Sequence, residues 1–260
     1  MEKKYSKESA SFDGLMDLIN QLLGPNGCEW DKSQSRKSMT RYIMEESYEL
    51  IEAITENNKN GIIEETGDIL FQAAFQIGIS ANEGYFQQED VFSAIITKLI
   101  NRHPHIFEQY KQINKEQVES NWHKFKAKNK SEIGSSVLGE IPKVMPSLST
   151  ALLLQERAAA FGFDWQEYKQ VLAKVVEEIE EIRKAKSIEA QEEELGDLLF
   201  SIVNVSRWIG INPEIALEKA NRKFKARIDK MEKSAKSHGA NLEELNVLEM
   251  NELWDKVKFE

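Results

Sequence analysis

Residues 43–71, IMEESYELIEAITENNKNGIIEETGDILF, decide how the rest of the chain is read. They predict two helices joined by a turn at Asn57–Gly61, with Glu46 and Glu49 on the first helix and Glu65 and Asp68 on the second. Side chains three or four positions apart share a helix face. Ile43, Leu50, Ile51 and Ile54 therefore form an apolar stripe expected to face a core. Glu46 falls at the edge of that stripe, Glu49 just beyond it, and Glu45 and Glu52 further toward water. Four carboxylates gathered at a core boundary repel one another unless a cation neutralises them. Oxygen donors of this kind suit a hard ion such as Mg²⁺, which keeps waters that a phosphate can replace.

The pattern occurs twice. Residues 175–200, VVEEIEEIRKAKSIEAQEEELGDLLF, place Glu178, Glu181, Glu194 and Asp197 in the same order, with Glu178 at the edge of a stripe of Val171, Val175, Ile179 and Ile182. Other features recur with them. Trp30 matches Trp165, the pair Lys98 and Arg102 matches Lys223 and Arg227, and the pair Trp122 and Lys126 matches Trp254 and Lys258. Each second-half feature follows its counterpart by 125 to 135 residues, a drift that loop-length changes produce. The chain is read as a tandem duplication.

An E-E-x-x-E run alone is an ordinary solvated helix face, and its pairing with E-x-G-D and its recurrence raise it above that. The glycines before the aspartates, Gly67 and Gly196, each cost a helix about 1 kcal/mol relative to alanine, which predicts a close approach of neighbouring helices there. Lys98 with Arg102, and Lys223 with Arg227, each share a face one turn apart and can grip polyphosphate oxygens together with Lys126 and Lys258. Trp122 and Trp254 are either core residues or platforms for a base.

Composition bounds the remaining choices. The 260 residues hold one large domain or two, and 41% hydrophobic residues with five tryptophans are enough for a core. A net charge of −10 argues against a protein that coats nucleic acid. The single cysteine, Cys28, excludes an internal disulfide and fits a reducing cytoplasm. No apolar run is long enough to span a bilayer, and the charged N-terminus has no apolar signal core. The expected protein is soluble and cytoplasmic.

Periodicity predicts helices over about 11–23, 38–56, 62–82, 90–101 and 115–128, with Asp90 capping the fourth. Residues 24–35, GPNGCEWDKSQS, read as a turn stretch, and Pro104 ends the fourth helix. Residues 129–147, rich in Gly and Pro, read as a linker whose Val137, Leu138, Ile141, Val144 and Met145 pack on something. Second-half helices follow over about 148–161, 166–186, 188–209, 214–238 and 248–257. Strand signals are absent. The expected fold is all-α, with domains at 1–128 and 148–260 on either side of the linker.

The stretches CEWDKSQS, EESYELIEAI, EETGDILFQ, KLINRHPHIFE, GEIPKVMPSL, ERAAAFGFDW, EEIEEI, EEELGDLLFSIVN, KANRKFKAR and ELWDKVK resemble a MazG-type nucleoside triphosphate pyrophosphohydrolase with two tandem four-helix MazG domains. They span residues 12 to 258. The resemblance implies hydrolysis of NTPs and dNTPs to monophosphate and pyrophosphate by a homodimer whose sites are completed between packed helices. It assigns Mg²⁺, or Mn²⁺ in its place, to Glu178, Glu181, Glu194 and Asp197, and to Glu46, Glu49, Glu65 and Asp68. It assigns substrate contacts to Lys223, Arg227, Trp254 and Lys258, with Lys98, Arg102 and Lys126 as their first-half counterparts. A lysine that family members often carry just before E-x-G-D is replaced here by Ala190 and Gln191. The resemblance also favours the second domain as the active one.

The expected mechanism is metal-assisted attack of water on the α-phosphorus. Glu177 or Glu178 takes the proton, as Glu45 or Glu46 would in the first domain, and Lys223 and Arg227 stabilise the departing pyrophosphate. One rival is a non-catalytic nucleotide-binding sensor or scaffold. A di-iron carboxylate protein is the other, and neither copy in this chain has the Glu-x-x-His that it requires.

Overall fold

The computed structural model describes residues 10–107 and 136–258, and every regular element among them is helical. The fold is all-α, as expected. The helix predicted over 115–128, with Trp122 and Lys126, lies outside the described residues. The chain divides into two compact units, residues 1–112 and 113–260.

The first unit contains α1 (Phe12–Leu23), α2 (Glu29–Lys32), α3 (Thr40–Thr55), α4 (Lys59–Asn82), α5 (Gln88–Arg102) and α6 (Pro104–Phe107). Helix α3 packs along α4, and α1 lies against α4. Local chemistry sets the ends. The Ser11 hydroxyl accepts from the Gly14 N–H at 3.1 Å and starts α1. Asn57 takes the left-handed conformation (φ 54°), which asparagine tolerates, and turns the chain between α3 and α4. Asn58 then caps α4 by accepting from the Gly61 N–H at 3.2 Å.

The core of this unit joins Met16 and Ile19 of α1, Met39, and Ala74, Phe75, Ile77 and Ile79 of α4. Gly78 allows the two helices to meet, because a Cβ there would lie 2.6 Å from Ile19 Cγ2. Two local expectations are corrected. Residues 29–32 are helical rather than turn, and the Ser33 hydroxyl (2.7 Å) and Gln34 amide (3.1 Å) donate to the Trp30 carbonyl at the helix end. Asp90 sits inside α5 and reaches back to the Gln87 N–H at 2.8 Å, so the cap is a reciprocal box that starts at Gln87.

The second unit contains α7 (Ser147–Ala160), α8 (Tyr168–Lys184), α9 (Ile188–Trp208), α10 (Pro213–Ser237), a 3₁₀ turn (Leu242–Glu244) that periodicity did not reveal, and α11 (Val247–Lys258). Helix α8 packs along α9, α7 on α9 and α11 on α10. Ser187 caps α9, and Asn212 with Pro213 at the first turn caps α10. Segment 136–147 packs on this unit, since Arg157 donates to the carbonyls of Leu138 and Glu140.

Two further expectations fail within one chain. Ile51 and Ile54 of α3 and Ile179 of α8 are exposed (39%, 56% and 44%), although their periodicity assigns them to a core. A Cβ on Gly67 or Gly196 would meet nothing within 4 Å, so among the described residues no helix approaches closely at either glycine. Both results have one physical reason. The outer faces of the α3–α4 and α8–α9 hairpins have no covering element among the described residues.

Candidate functional site

Each hairpin gathers three of its four predicted acids. Carboxylate oxygens of Glu46, Glu49 and Glu65 all lie within 4.8 Å of one another in the first unit, as do those of Glu178, Glu181 and Glu194 in the second. The i, i+3 spacing puts two acids on one helix, and the hairpin turn brings the third opposite them. Asp68 and Asp197 stand outside these tight groups. Asp68 still acts on its group through its charge, and Asp197 lines the cavity described below.

Crowding of like charge is visible in the protonation equilibria. The carboxyl of Glu46 is raised above the ordinary range by burial, then by the charges of Asp68, Glu49 and Glu45, with the Gln72 amide opposing. Glu65 is raised by desolvation and by Glu49, Glu64, Asp68 and Glu46. Glu181 is raised first by a hydrogen bond shared with Glu178, then by desolvation and the charges of Glu178 and Glu194.

The second group is the more deeply set. Glu178 is only 2% exposed, and its Oε2 is buried without a hydrogen-bond partner. Its Oε1 faces the ammonium of Lys174 at 2.7 Å, and Lys174 also reaches Glu177 at 2.9 Å. Hydrogen bonds to these two carboxylates raise the lysine above its ordinary range. Lys174 was missed in the sequence, although its i, i+3 and i, i+4 spacing to Glu177 and Glu178 is a readable signal. The first copy has Tyr42 at the equivalent position.

An orphaned, buried carboxylate oxygen beside two further carboxylates is a donor set that a divalent cation completes. The residues therefore fit the ion inferred from sequence.

Glu178, Lys174 and Asp197 also line a cavity of about 830 Å³ within the second unit. Its remaining wall is largely apolar and aromatic, with Phe161, Phe163, Trp165 and Phe200. Across it Arg207 makes a two-point ion pair with Asp164, at 3.0 Å for Nη1, and its Nε donates to Asn204 Oδ1 at 3.0 Å. Burial alone would raise Asp164, but the guanidinium outweighs that and holds its carboxyl below the ordinary range.

The predicted cations are placed elsewhere. Lys223 is exposed on α10, and Arg227 lies over the Trp254 ring of α11 at 5.2 Å, with Phe224 packed on the same ring at 5.5 Å. Lys258 is exposed at the end of α11. None of these four lines the cavity. In the first unit Lys98 is exposed on α5 and Arg102 is half-buried at its end, while Lys126 lies outside the described residues.

Fold and site together define an all-α protein with an acidic, cation-binding type of cluster on each of two helical hairpins. Residues 34–107 match the family described as the MazG nucleotide pyrophosphohydrolase domain. The chain is 44% identical over 247 residues to the nucleoside triphosphate pyrophosphohydrolase/pyrophosphatase MazG of Thermotoga maritima, covering 95% of each chain. It is 38% identical over 253 residues to the nucleoside triphosphate pyrophosphohydrolase of Escherichia coli K12, covering 95% of this chain and 96% of that one. An uncharacterized Bacillus subtilis protein, YabN, is 40% identical over 251 residues that make up 51% of its length. The chain belongs to the MazG family.

Proposed function

We propose that this protein is a nucleoside triphosphate pyrophosphohydrolase, converting NTPs and dNTPs to the monophosphate and pyrophosphate, with the second unit as the working site. The observation that carries the choice of unit is the buried, unpartnered oxygen of Glu178 beside Glu181 and Glu194, at the wall of a cavity large enough for a nucleotide. Small-molecule clefts commonly enclose roughly 300–1,000 Å³.

Glu178, Glu181, Glu194 and Asp197 would hold Mg²⁺, or Mn²⁺ in its place, and the first unit's Glu46, Glu49, Glu65 and Asp68 would form the matching set. When bound, the ion supplies positive charge against the phosphate oxygens. Glu178 is committed to that role, which leaves Glu177 to take the proton of the attacking water. The water oxygen bonds to the α-phosphorus as the bond to the oxygen bridging toward the β-phosphorus breaks, and pyrophosphate departs. Lys174 lies against both acids and is a cation for the phosphate chain, in place of the lysine absent at Ala190 and Gln191. Lys223 and Arg227, expected from the sequence to stabilise the departing pyrophosphate, do not line this cavity, so within the second unit Lys174 is the cation beside the acids for that role.

We further propose that two copies of the chain pair through the uncovered hairpin faces, and that residues 1–128 and 148–260 are the two domains, with the linker between them.

Product analysis on purified protein with Mg²⁺ tests the reaction. Monophosphate and pyrophosphate are expected, lost with EDTA and in Asp197→Ala, with helix content unchanged. Diphosphate and orthophosphate would overturn attack at the α-phosphorus. Full activity in Asp197→Ala combined with Glu49→Ala would remove the acids from the mechanism. Nucleotide binding without turnover would leave a sensor.

A further inference from the structure

The two acidic groups differ in one charge. In the second unit the ammonium of Lys174 lies 2.7 Å from Glu178 Oε1 and 2.9 Å from Glu177 Oε1. The Glu178 side chain is almost wholly buried, whereas Lys174 keeps a third of its own exposed. The pairing neutralises the carboxylate that is most costly to leave charged, and it leaves the lysine a path to solvent. Carboxylate oxygens of Glu181 and Glu194 stand within 4.8 Å of that of Glu178. An ion held by all three acids is therefore a close neighbour of the ammonium. Like charges a few ångströms apart repel even in bulk water, and a divalent ion doubles the effect.

The first unit has no such lysine. The stretches TRYIMEES (40–47) and LAKVVEEI (172–179) align without a gap, and Tyr42 stands where the second copy has Lys174. Tyr42 packs against the core and edge-on to Trp30, with ring centroids 6.1 Å apart. The adjacent Arg41 lies over the Tyr42 ring at 4.6 Å. Among the described residues no lysine or arginine pairs with Glu46, Glu49 or Glu65, and the charges acting on Glu46 and Glu65 are those of other carboxylates. The same set of acids thus has a built-in counter-charge in one copy and none in the other.

We propose that Lys174 holds the place of the metal's charge in the second unit, so that this site takes its ion together with the nucleotide, whereas the first unit binds a free divalent ion. The phosphate chain supplies the negative charge that draws the ammonium away from Glu178 and releases that carboxylate to the ion. Lys174 is in this sense a positioning residue, and its contact with Glu178 keeps the metal-free site closed to free ions. The proposal rests on the reading of the acids as a divalent-cation site and of the substrate as a nucleoside triphosphate.

The probe is free Mn²⁺, counted by electron paramagnetic resonance on the full chain without nucleotide. Glu49→Gln removes a ligand of the first unit and Glu181→Gln one of the second, so each variant reports the other site. The first unit should bind at least about tenfold more tightly than the second, and Lys174→Met added to Glu49→Gln should tighten the second site by at least about tenfold, because the repulsion of one ammonium is lifted. A lysine that only held the group together would give the opposite sign. Unchanged or weaker ion binding in Lys174→Met overturns the proposal, as does a second unit that binds the free ion as tightly as the first. If Lys174→Met does not fold, Lys174→Gln is read in its place. The analogue α,β-methylene ATP, whose carbon bridge resists cleavage, should raise the ion affinity of the second site, and Lys174→Met should shrink that gain by at least about tenfold. An equal gain in both proteins overturns the exchange. A protein that shows these shifts but hydrolyses no triphosphate keeps the proposal and loses the reaction. One that hydrolyses triphosphates while Lys174→Met leaves its ion affinity unaltered keeps the reaction and loses the proposal.

Discussion

At the residue scale, the second acidic group is held together by Lys174. Its ammonium faces a nearly buried carboxylate, Glu178, while remaining one-third exposed itself. Removing one partner of an exposed pair costs up to about 1 kcal/mol, and of a buried pair about 3–5 kcal/mol. Lys174→Met should therefore lower stability by about 2 kcal/mol in EDTA, between those limits. Much of that loss should return with Mg²⁺, which supplies the missing positive charge. Thermal melting with and without the ion reads this directly, and equal losses in both conditions would assign Lys174 a purely structural role. The same melts carry a pH signature. Glu46, Glu65 and Glu181 have folded-state values raised above the ordinary one. The folded state thus binds protons more tightly than the unfolded state, and metal-free stability falls as pH rises from the ordinary glutamate value through the raised ones. The gain from Mg²⁺ should grow across that window toward neutral pH.

At the element scale, glycine means different things on α4 and α9. Gly78 is where α1 and α4 meet, so Gly78→Ala forces a Cβ against Ile19 and should cost about 1–3 kcal/mol. A Cβ at Gly196 meets nothing, and Gly196→Ala should stabilise the metal-free chain by up to about 1 kcal/mol. Denaturant melts of the two variants check both signs, and destabilisation by Gly196→Ala would show that a partner surface comes close there. Helix existence was legible because caps and periodicity are local. Ser11, Asn58, Ser187 and Asn212 each accept from a backbone N–H at a helix start and can be read without a structure. Short 29–32 was not legible, because its end is closed by side chains of Ser33 and Gln34 that also suit a turn.

At the scale of the whole molecule, each unit has an apolar hairpin face that no other described residues cover. Met44, Tyr48, Ile51, Ile54 and Leu70 are exposed in the first unit, and Val176, Ile179, Leu195, Leu199 and Ile202 in the second. Contiguous apolar faces of this kind mark interaction surfaces, and an isologous pairing covers both copies of a face at once. Sedimentation should give a dimer. Val176→Glu with Leu199→Glu, which sets like charges across such a pairing, should weaken it. A monomeric wild type would rule the pairing out.

The order of helices, the two acidic hairpins and the spacing of their carboxylates follow from the sequence by itself, because 3.6-residue periodicity and capping act between neighbours in the chain. Which apolar stripes are covered was decided only by tertiary structure. Periodicity says that Ile51, Ile54 and Ile179 share a face with core residues but not what packs on them, and here nothing among the described residues does. The cavity is of the same kind. Asn204 and Phe75 occupy one place in the repeat. Only the packing of α1 against α4 in the first unit, and of α7, the 136–147 segment and the Phe163–Trp165 loop around α9 in the second, makes one position core and the other the wall of a pocket.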